Sequence, residues 1–428
     1  MESVQEINIC DPIEFFPLEV SFKIFNFLEA KDLLQASEVS TSWYDFIGGS
    51  KTYMDKIKVT IRCTMNRDIH YDFISPLANS TRRYQHLSLS ICSYCIEAVK
   101  PTMEAHKGKW RTVKIMRTNF QTPTEVLDYL ECFECSVEEL IMTEVCTRYP
   151  YSDGIKRYFS FPKLKIFHAR HIQVTLFSDA FENLANLEEL VLCSHTQTLV
   201  SLTSIMILLQ NNVNLKTLTI TNNVFSQIMY QKSVVDLPFK LKKLSVDAFY
   251  SQSLFVDQIQ QNFSKFLVRQ KRLEKLEFND WMGIKTTTTA FGLPKLRELT
   301  LKGISKALEP IDWDFVNIPV NRSIFKLAIH VPKNHPIFEK IMKATPNVTC
   351  FTASYIGFDM LTHLAKSHPN LCCLSIGTFD ILEVFDKEIF KKLDRLVILQ
   401  YKVTLEVIIK KKRTDEKSHF EKKIESLF

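Results

Sequence analysis

The sequence predicts an α/β solenoid: parallel strands joined by helical return segments, with a small helical module in front. Three observations predict it. An apolar residue, two variable residues, a second apolar, one variable and a third apolar recur from Tyr84 to Leu399. The segments between these copies carry apolar residues at spacings of three and four, the mark of one helix face. Ahead of them, Phe16 to Ile47 surrounds a short helix with apolar side chains almost completely.

In the front module Pro17 suits the first turn of a helix and Glu19 complements its positive end. Leu18, Val20, Phe22, Ile24, Phe25, Phe27 and Leu28 follow. A second helix is expected from about Lys31 to Val39, with Leu33, Leu34, Ala36 and Val39. A third starts near Thr41 and holds Trp43, Phe46 and Ile47. A helix that is apolar all round must be buried, yet a module of this size cannot enclose so much apolar surface. Something outside it must cover the remainder, unless the segment is a helical cap for the first repeat.

Behind it, Met54, Ile57 and Val59 read as a first copy of the strand phrase, with Ile69 to Leu77 as its helix. The array then begins directly after the module, through a rigid junction. The clearest later copies are Leu187, Leu190, Leu192; Leu215, Leu218, Ile220; Leu241, Leu244, Val246; Leu273, Leu276, Phe278; Leu296, Leu299, Leu301; Ile324, Leu327, Ile329; and Leu371, Leu374, Ile376. Looser copies start at Tyr84, Trp110, Val137, Leu164, Val348 and Leu393. The mean interval of about 26 residues is that of leucine-rich repeats. One strand and its return segment cannot bury an apolar face alone, so neighbouring units stack around a continuous core.

Return helices are expected at Pro123 to Cys132, Phe177 to Leu184, Leu202 to Leu209, Leu254 to Val268, Pro336 to Ala344, Phe358 to Ser367 and Leu382 to Leu393. In one of them Phe255, Ile259, Phe263, Phe266 and Leu267 share a face. Three residues past each phrase, where many such repeats carry Asn, stand Phe249, Trp281, Ile304, Ile356 and Phe379; only Asn223 fits. Packing through apolar contacts rather than an Asn ladder follows. The expected fold is therefore a leucine-rich-repeat horseshoe with concave parallel strands and a helical convex side. Its organisation is residues 11–50 for the front module, 51–409 for the solenoid with its cap, and 410–428 for a basic tail.

The 428 residues are 46% apolar, enough for a large core, and an elongated array needs no division into several globular domains. Nine glycines disfavour an enzyme built on phosphate loops, and Gly48, Gly49, Ser50, Lys51, Thr52 lack the first glycine and spacing of a P-loop. No leader-like or membrane-length apolar run stands out, and eleven scattered cysteines suit reduced thiols in cytosol or nucleus. Cys92 with Cys95 and Cys132 with Cys135 form two Cys-x-x-Cys pairs, read as core cysteines because no nearby His completes a zinc spacing. The net charge of +6 is spread along the chain apart from Lys410 to Arg413, so nucleic acid and membranes are not expected partners. No cofactor, metal or catalytic residue is expected.

The front module closely resembles an F-box. Pro17, Glu19, Val20, Ile24, Phe25, Leu28, Asp32, Leu33, Leu34, Ala36, Val39 and Trp43 meet its pattern, while Phe16 replaces the usual Leu and Ser40 a common Cys. With repeats behind it, the whole chain resembles the F-box leucine-rich-repeat proteins. That resemblance implies a non-catalytic substrate receptor of an SCF-type ubiquitin ligase. Its F-box would dock on the Skp adaptor, and through it on a cullin–RING ligase, with a protein substrate on the repeats. The implied adaptor surface is Pro17, Leu18, Glu19, Val20, Ile24, Phe25, Leu28, Leu33, Leu34, Val39 and Trp43. A scaffold that binds the same adaptor and a partner without degradation is the alternative.

Side chains along a strand alternate sides, so residues between the inward apolar positions face the concave surface. Its length, on the order of 60 Å at ~4.8 Å per strand, suits a protein or extended peptide. Lys243, Asp247, Lys275, Glu277, Glu298, Lys302 and Lys326 place charges of both signs on successive strands there and are the expected substrate contacts. His168 and His330 lie on separate repeats with no triad or metal spacing, and read as surface contacts.

Overall fold

A computed structural model describes residues 11–63, 71–93, 95–147, 158–172, 180–193, 202–247, 256–278, 284–302, 316–330, 337–379 and 398–401. They divide into two compact units, Met1–Leu241 and Lys242–Phe428.

The first unit opens with five helices: α1 (Pro12–Phe15), α2 (Leu18–Asn26), α3 (Ala30–Ala36), α4 (Thr41–Gly49) and α5 (Lys51–Met54). Pro17 precedes α2 as its N-cap, and Ser40 caps α4 by accepting from the Trp43 N–H. Gly48 and Gly49 close α4 as part of the helix, and no phosphate loop forms there. Strands β1 (Lys58–Arg62), β2 (His86–Ser90) and β3 (Thr112–Met116) follow, with helices α6 (Tyr71–Ala78) and α7 (Ile96–Ala105) between them. After the short β4 (Asn119–Phe120) come α8 (Pro123–Glu131), β5 (Glu139–Thr143), the short β6 (Cys146–Thr147), β7 (Ile166–Arg170), β8 (Glu189–Cys193), α9 (Leu202–Asn211), β9 (Thr217–Thr221) and α10 (Asn222–Tyr230). The long strands pair in parallel and in chain order, and β4 pairs with β6 apart from them.

The second unit contains β10 (Lys243–Asp247), α11 (Val256–Arg269), β11 (Lys275–Phe278), α12 (Ile284–Phe291), β12 (Glu298–Leu301), β13 (Lys326–Ile329), α13 (Ile337–Ala344), β14 (Cys350–Ile356), α14 (Phe358–Ser367), β15 (Cys373–Phe379) and β16 (Ile398–Tyr401). Its strands are likewise parallel and consecutive. Within both units the apolar phrase stands in register: Leu87 pairs with Val113 and Leu89 with Ile115, and Leu276 pairs with Leu299 and Phe278 with Leu301. These side chains are buried, and Ile259, Phe263, Phe266 and Leu267 of α11 are buried as well. Each unit is thus a run of leucine-rich repeats.

The register corrects two expected phrases. Val59 and Ile61 stand opposite Leu87 and Leu89, so the first phrase begins two residues later than Met54; Met54 instead ends α5 and is buried there. Leu399 and Tyr401 stand opposite Leu374 and Ile376, which moves the last phrase from Leu393 to Leu396. Period-two side-chain alternation keeps the same face inward after a two-residue slip, which hid the first error. Helices α7, α10 and α12 are further helical return segments, at positions not delimited from the sequence. Phe249, Trp281, Ile304 and the helix expected over Leu382 to Leu393 lie outside the described residues; in the segment expected as a helix from Phe177 to Leu184, the described part, Ala180 to Leu184, forms a turn rather than a helix.

Polar rungs are present, three residues before the phrase rather than after it. Asn212 donates to the carbonyls of Leu184 (2.7 Å) and Leu208 (2.6 Å) and accepts from the Leu187 N–H (2.8 Å). Asn321 donates to Phe291 and Leu293, and His368 Nε2 lies 2.8 Å from the Thr345 carbonyl. All three side chains are buried, and each bonds a carbonyl of the preceding repeat. Among the described residues, no helix is long and apolar enough to cross a membrane.

Candidate functional site

The front module has a small core of Phe25, Leu33, Ile47 and Tyr53, with Ile13, Leu28, Ala36, Trp43 and Phe46 packed against it. Aromatic contacts knit it together: Phe25 meets Trp43 edge-on at 4.9 Å and Phe46 at 5.4 Å between ring centroids. Asp11 ties its two ends, accepting from the Ile13 N–H, Ser40 Oγ and Trp43 Nε1. Slight desolvation works against the charge, but the bonds from Ser40, Ile13 and Trp43 hold the carboxyl below its ordinary value.

Outside that core lies an apolar surface too large for so small a module to hide. Leu18 is 59% exposed, Ile24 48%, Val39 66% and Phe27 89%. Val20, Phe15, Phe16 and Phe22 are exposed as well. Of the residues read as adaptor contacts, Pro17, Leu18, Glu19, Val20, Ile24 and Val39 are exposed, Leu28, Leu34 and Trp43 are half-buried, and Phe25 and Leu33 are enclosed. The last two hold the module together and present nothing to a partner. Phe15 and Phe27 were absent from the expected surface, although an exposed Phe beside each end of α2 is a visible signal.

The module is fastened to the repeats by polar bonds. Lys56 Nζ donates to the carbonyls of Asn26 (2.6 Å) and Leu28 (3.1 Å), placing a cation at the negative end of α2. Arg82 donates to Ser37 Oγ at 2.6 Å and lies 4.4 Å from the centre of the Tyr44 ring. Tyr53 donates its hydroxyl to the Phe22 carbonyl.

The expected substrate contacts lie on the strands of the second unit, where several neutralise one another. Lys275 and Lys326 both approach Glu298, at 3.2 and 3.7 Å, and Lys302 pairs with Glu277 at 2.8 Å. Lys243 is half-buried on β10, and the Asp247 side chain lies outside the described residues. His330 is held below its ordinary value by burial and by Lys302, with Glu277 opposing. In the first unit Lys114 pairs with Glu139 and His168 with Glu189.

A second charged row went unnoticed in the sequence: the residue after each phrase's first apolar alternates in sign as Arg111, Glu138, Lys165, Glu188 and Lys216. Arg111 pairs with Glu138 and Lys216 with Glu188. Glu138, Lys165, Glu188 and Lys216, with Pro162, Lys163, Asn186 and Asn214, line an open groove of about 480 Å³.

A family model described as F-box-like matches residues 13–52. Among solved structures, the chain is similar to one described as the crystal structure of the Rad7 and Elc1 complex in yeast, at 13% identity and a TM-score of 0.40, covering 86% of this chain and 90% of that one. So distant a likeness carries no argument about function. Comparison with curated proteins found no match.

Proposed function

We propose that this F-box leucine-rich-repeat protein is the substrate-recognition subunit of an SCF-type ubiquitin ligase, itself non-catalytic, with the F-box on the Skp adaptor and a protein substrate on the repeats. The observation that carries the reading is the exposure of Leu18, Val20, Ile24, Phe27 and Val39, left bare by a module whose own core is complete without them. So many large apolar side chains exposed on one small module mark a protein interface, and the F-box-like match supports the adaptor as its occupant.

Replacing Leu18, Ile24 and Val39 together by Ala removes contact area while sparing the core. The expected loss is on the order of 4 kcal/mol, about a thousandfold in adaptor Kd, read by titration calorimetry. Unchanged affinity would refute the docking face. Substrate binding is assigned on the same reading to Lys243, Asp247, Lys275, Glu277, Glu298, Lys302 and Lys326. Reversing Lys243, Lys275 and Lys326 to Glu in a chain that still binds the adaptor should change the partners captured under proteasome blockade, as identified by mass spectrometry.

A further inference from the structure

Three thiols from separate elements meet just behind the F-box. Cys63 directly follows β1, Cys92 lies two residues beyond β2, and Cys95 is the N-cap of α7. Their Sγ atoms form a near-equilateral triangle, with 3.3 Å between Cys63 and Cys92, 3.4 Å between Cys63 and Cys95, and 3.3 Å between Cys92 and Cys95. These separations are far longer than the ~2.05 Å of a disulfide. Sulfurs about 2.3 Å from one tetrahedral zinc stand roughly 3.8 Å apart, so a cation seated above this triangle needs each sulfur to move by only a few tenths of an ångström.

The backbone holds the arrangement. The Cys63 N–H donates to Ser90 O at 2.9 Å, locking the end of β1 to the end of β2. The Cys95 N–H donates to Cys92 O at 3.0 Å, closing the Cys-x-x-Cys turn that presents both sulfurs to one point. Cys95 is buried, Cys63 and Cys92 are half-buried, and the positive end of α7 favours an anionic ligand there. Burial, then the adjoining Cys92 and Cys63, push the Cys95 thiol well above its ordinary value in the absence of a cation.

We propose that Cys63, Cys92 and Cys95 bind a thiophilic divalent metal ion, zinc, through their three thiolates. On binding, the three thiols release their protons to solvent and three thiolate–zinc bonds form, leaving a site of net charge −1 with no change in oxidation state. Soft thiolates select zinc over magnesium or calcium. The site staples the first repeat to the second, and it is independent of what the F-box binds.

The full chain, incubated with zinc chloride and desalted, should carry about one zinc per chain by inductively coupled plasma mass spectrometry. Cys63→Ser and Cys92→Ser should fall to background, and Cys132→Ser should keep the metal. Because a variant could misfold, the parent chain supplies its own test: zinc should slow alkylation of Cys63, Cys92 and Cys95 by at least about tenfold, read peptide by peptide, and a chelator should restore it. Cobalt(II) should give thiolate-to-metal charge-transfer absorption. A parent chain that takes up no zinc and whose three cysteines alkylate equally fast with and without it overturns the proposal, as does a disulfide between two of them under glutathione-buffered conditions.

Discussion

Asn212 satisfies three backbone groups with one side chain, in a place water does not reach. Asn212→Ala would leave the Leu187 N–H and the carbonyls of Leu184 and Leu208 without that partner. An unsatisfied buried polar group costs about 1 to 3 kcal/mol, so the variant should lose at least about 2 kcal/mol, measured by urea unfolding. A surface change such as Lys163→Ala should lose under about 0.5 kcal/mol. Gly377 is constrained differently: a Cβ there would stand 2.8 Å from Ser354 O and 3.2 Å from Ser354 Cα. The obstacle is backbone of the adjacent strand and cannot swing aside, so Gly377→Ala should destabilise the second unit by more than about 1 kcal/mol. Neither role was legible in the sequence. A polar residue near a helix end reads as exposed, and a lone glycine in a strand gives no hint of what faces it.

The front module shows at the scale of elements what a pattern can and cannot reveal. The apolar spacing of Leu18 to Leu28 announced a helix with more apolar surface than its module could hide, and Leu18, Ile24 and Phe27 are exposed as that argument requires. Spacing could not sort Phe25, which points inward, from its neighbours, because a helix apolar all round gives no phase. The fragment Asp11 to Ser50 lacks Tyr53, Lys56 and Arg82, which complete its core and hold α2 and α3 in place. Alone it should be poorly helical by circular dichroism and gain helix on adding the Skp adaptor, and a sharp thermal transition for the free fragment would count against this. The strand phrase was legible because its apolar residues all turn inward. The thiol cluster was not, since a search for zinc spacing compares cysteines along the chain while the fold brings Cys63 from the preceding repeat.

Across the whole molecule, three histidines give the stability a common pH response. Burial holds His106, His330 and His368 below the ordinary value of 6.5; the Leu77 and Thr345 carbonyls oppose this at His106 and His368, and Glu277 at His330. The folded chain therefore resists protonation that the unfolded chain accepts. Their contribution is complete above about pH 6.5 and is lost as pH falls through that value toward the lower folded pKa values. Urea midpoints should thus decline between pH 7.5 and 5.5, and His106→Gln with His368→Gln should flatten the decline, whatever their effect at pH 7.5.

Strand β1 stands at the end of the sheet order, its buried Val59 and Ile61 alternating with exposed Lys58, Thr60 and Arg62. A terminal strand of a repeat array is shaped to receive one more strand, and a second copy of the same chain carries the most suitable one. Two like charges on so short a strand make that meeting repulsive. Where β1 would meet β1 of a second copy, the stacking that builds the array is thereby opposed, and one end of an architecture with the local rules of a fibre carries its own stop signal.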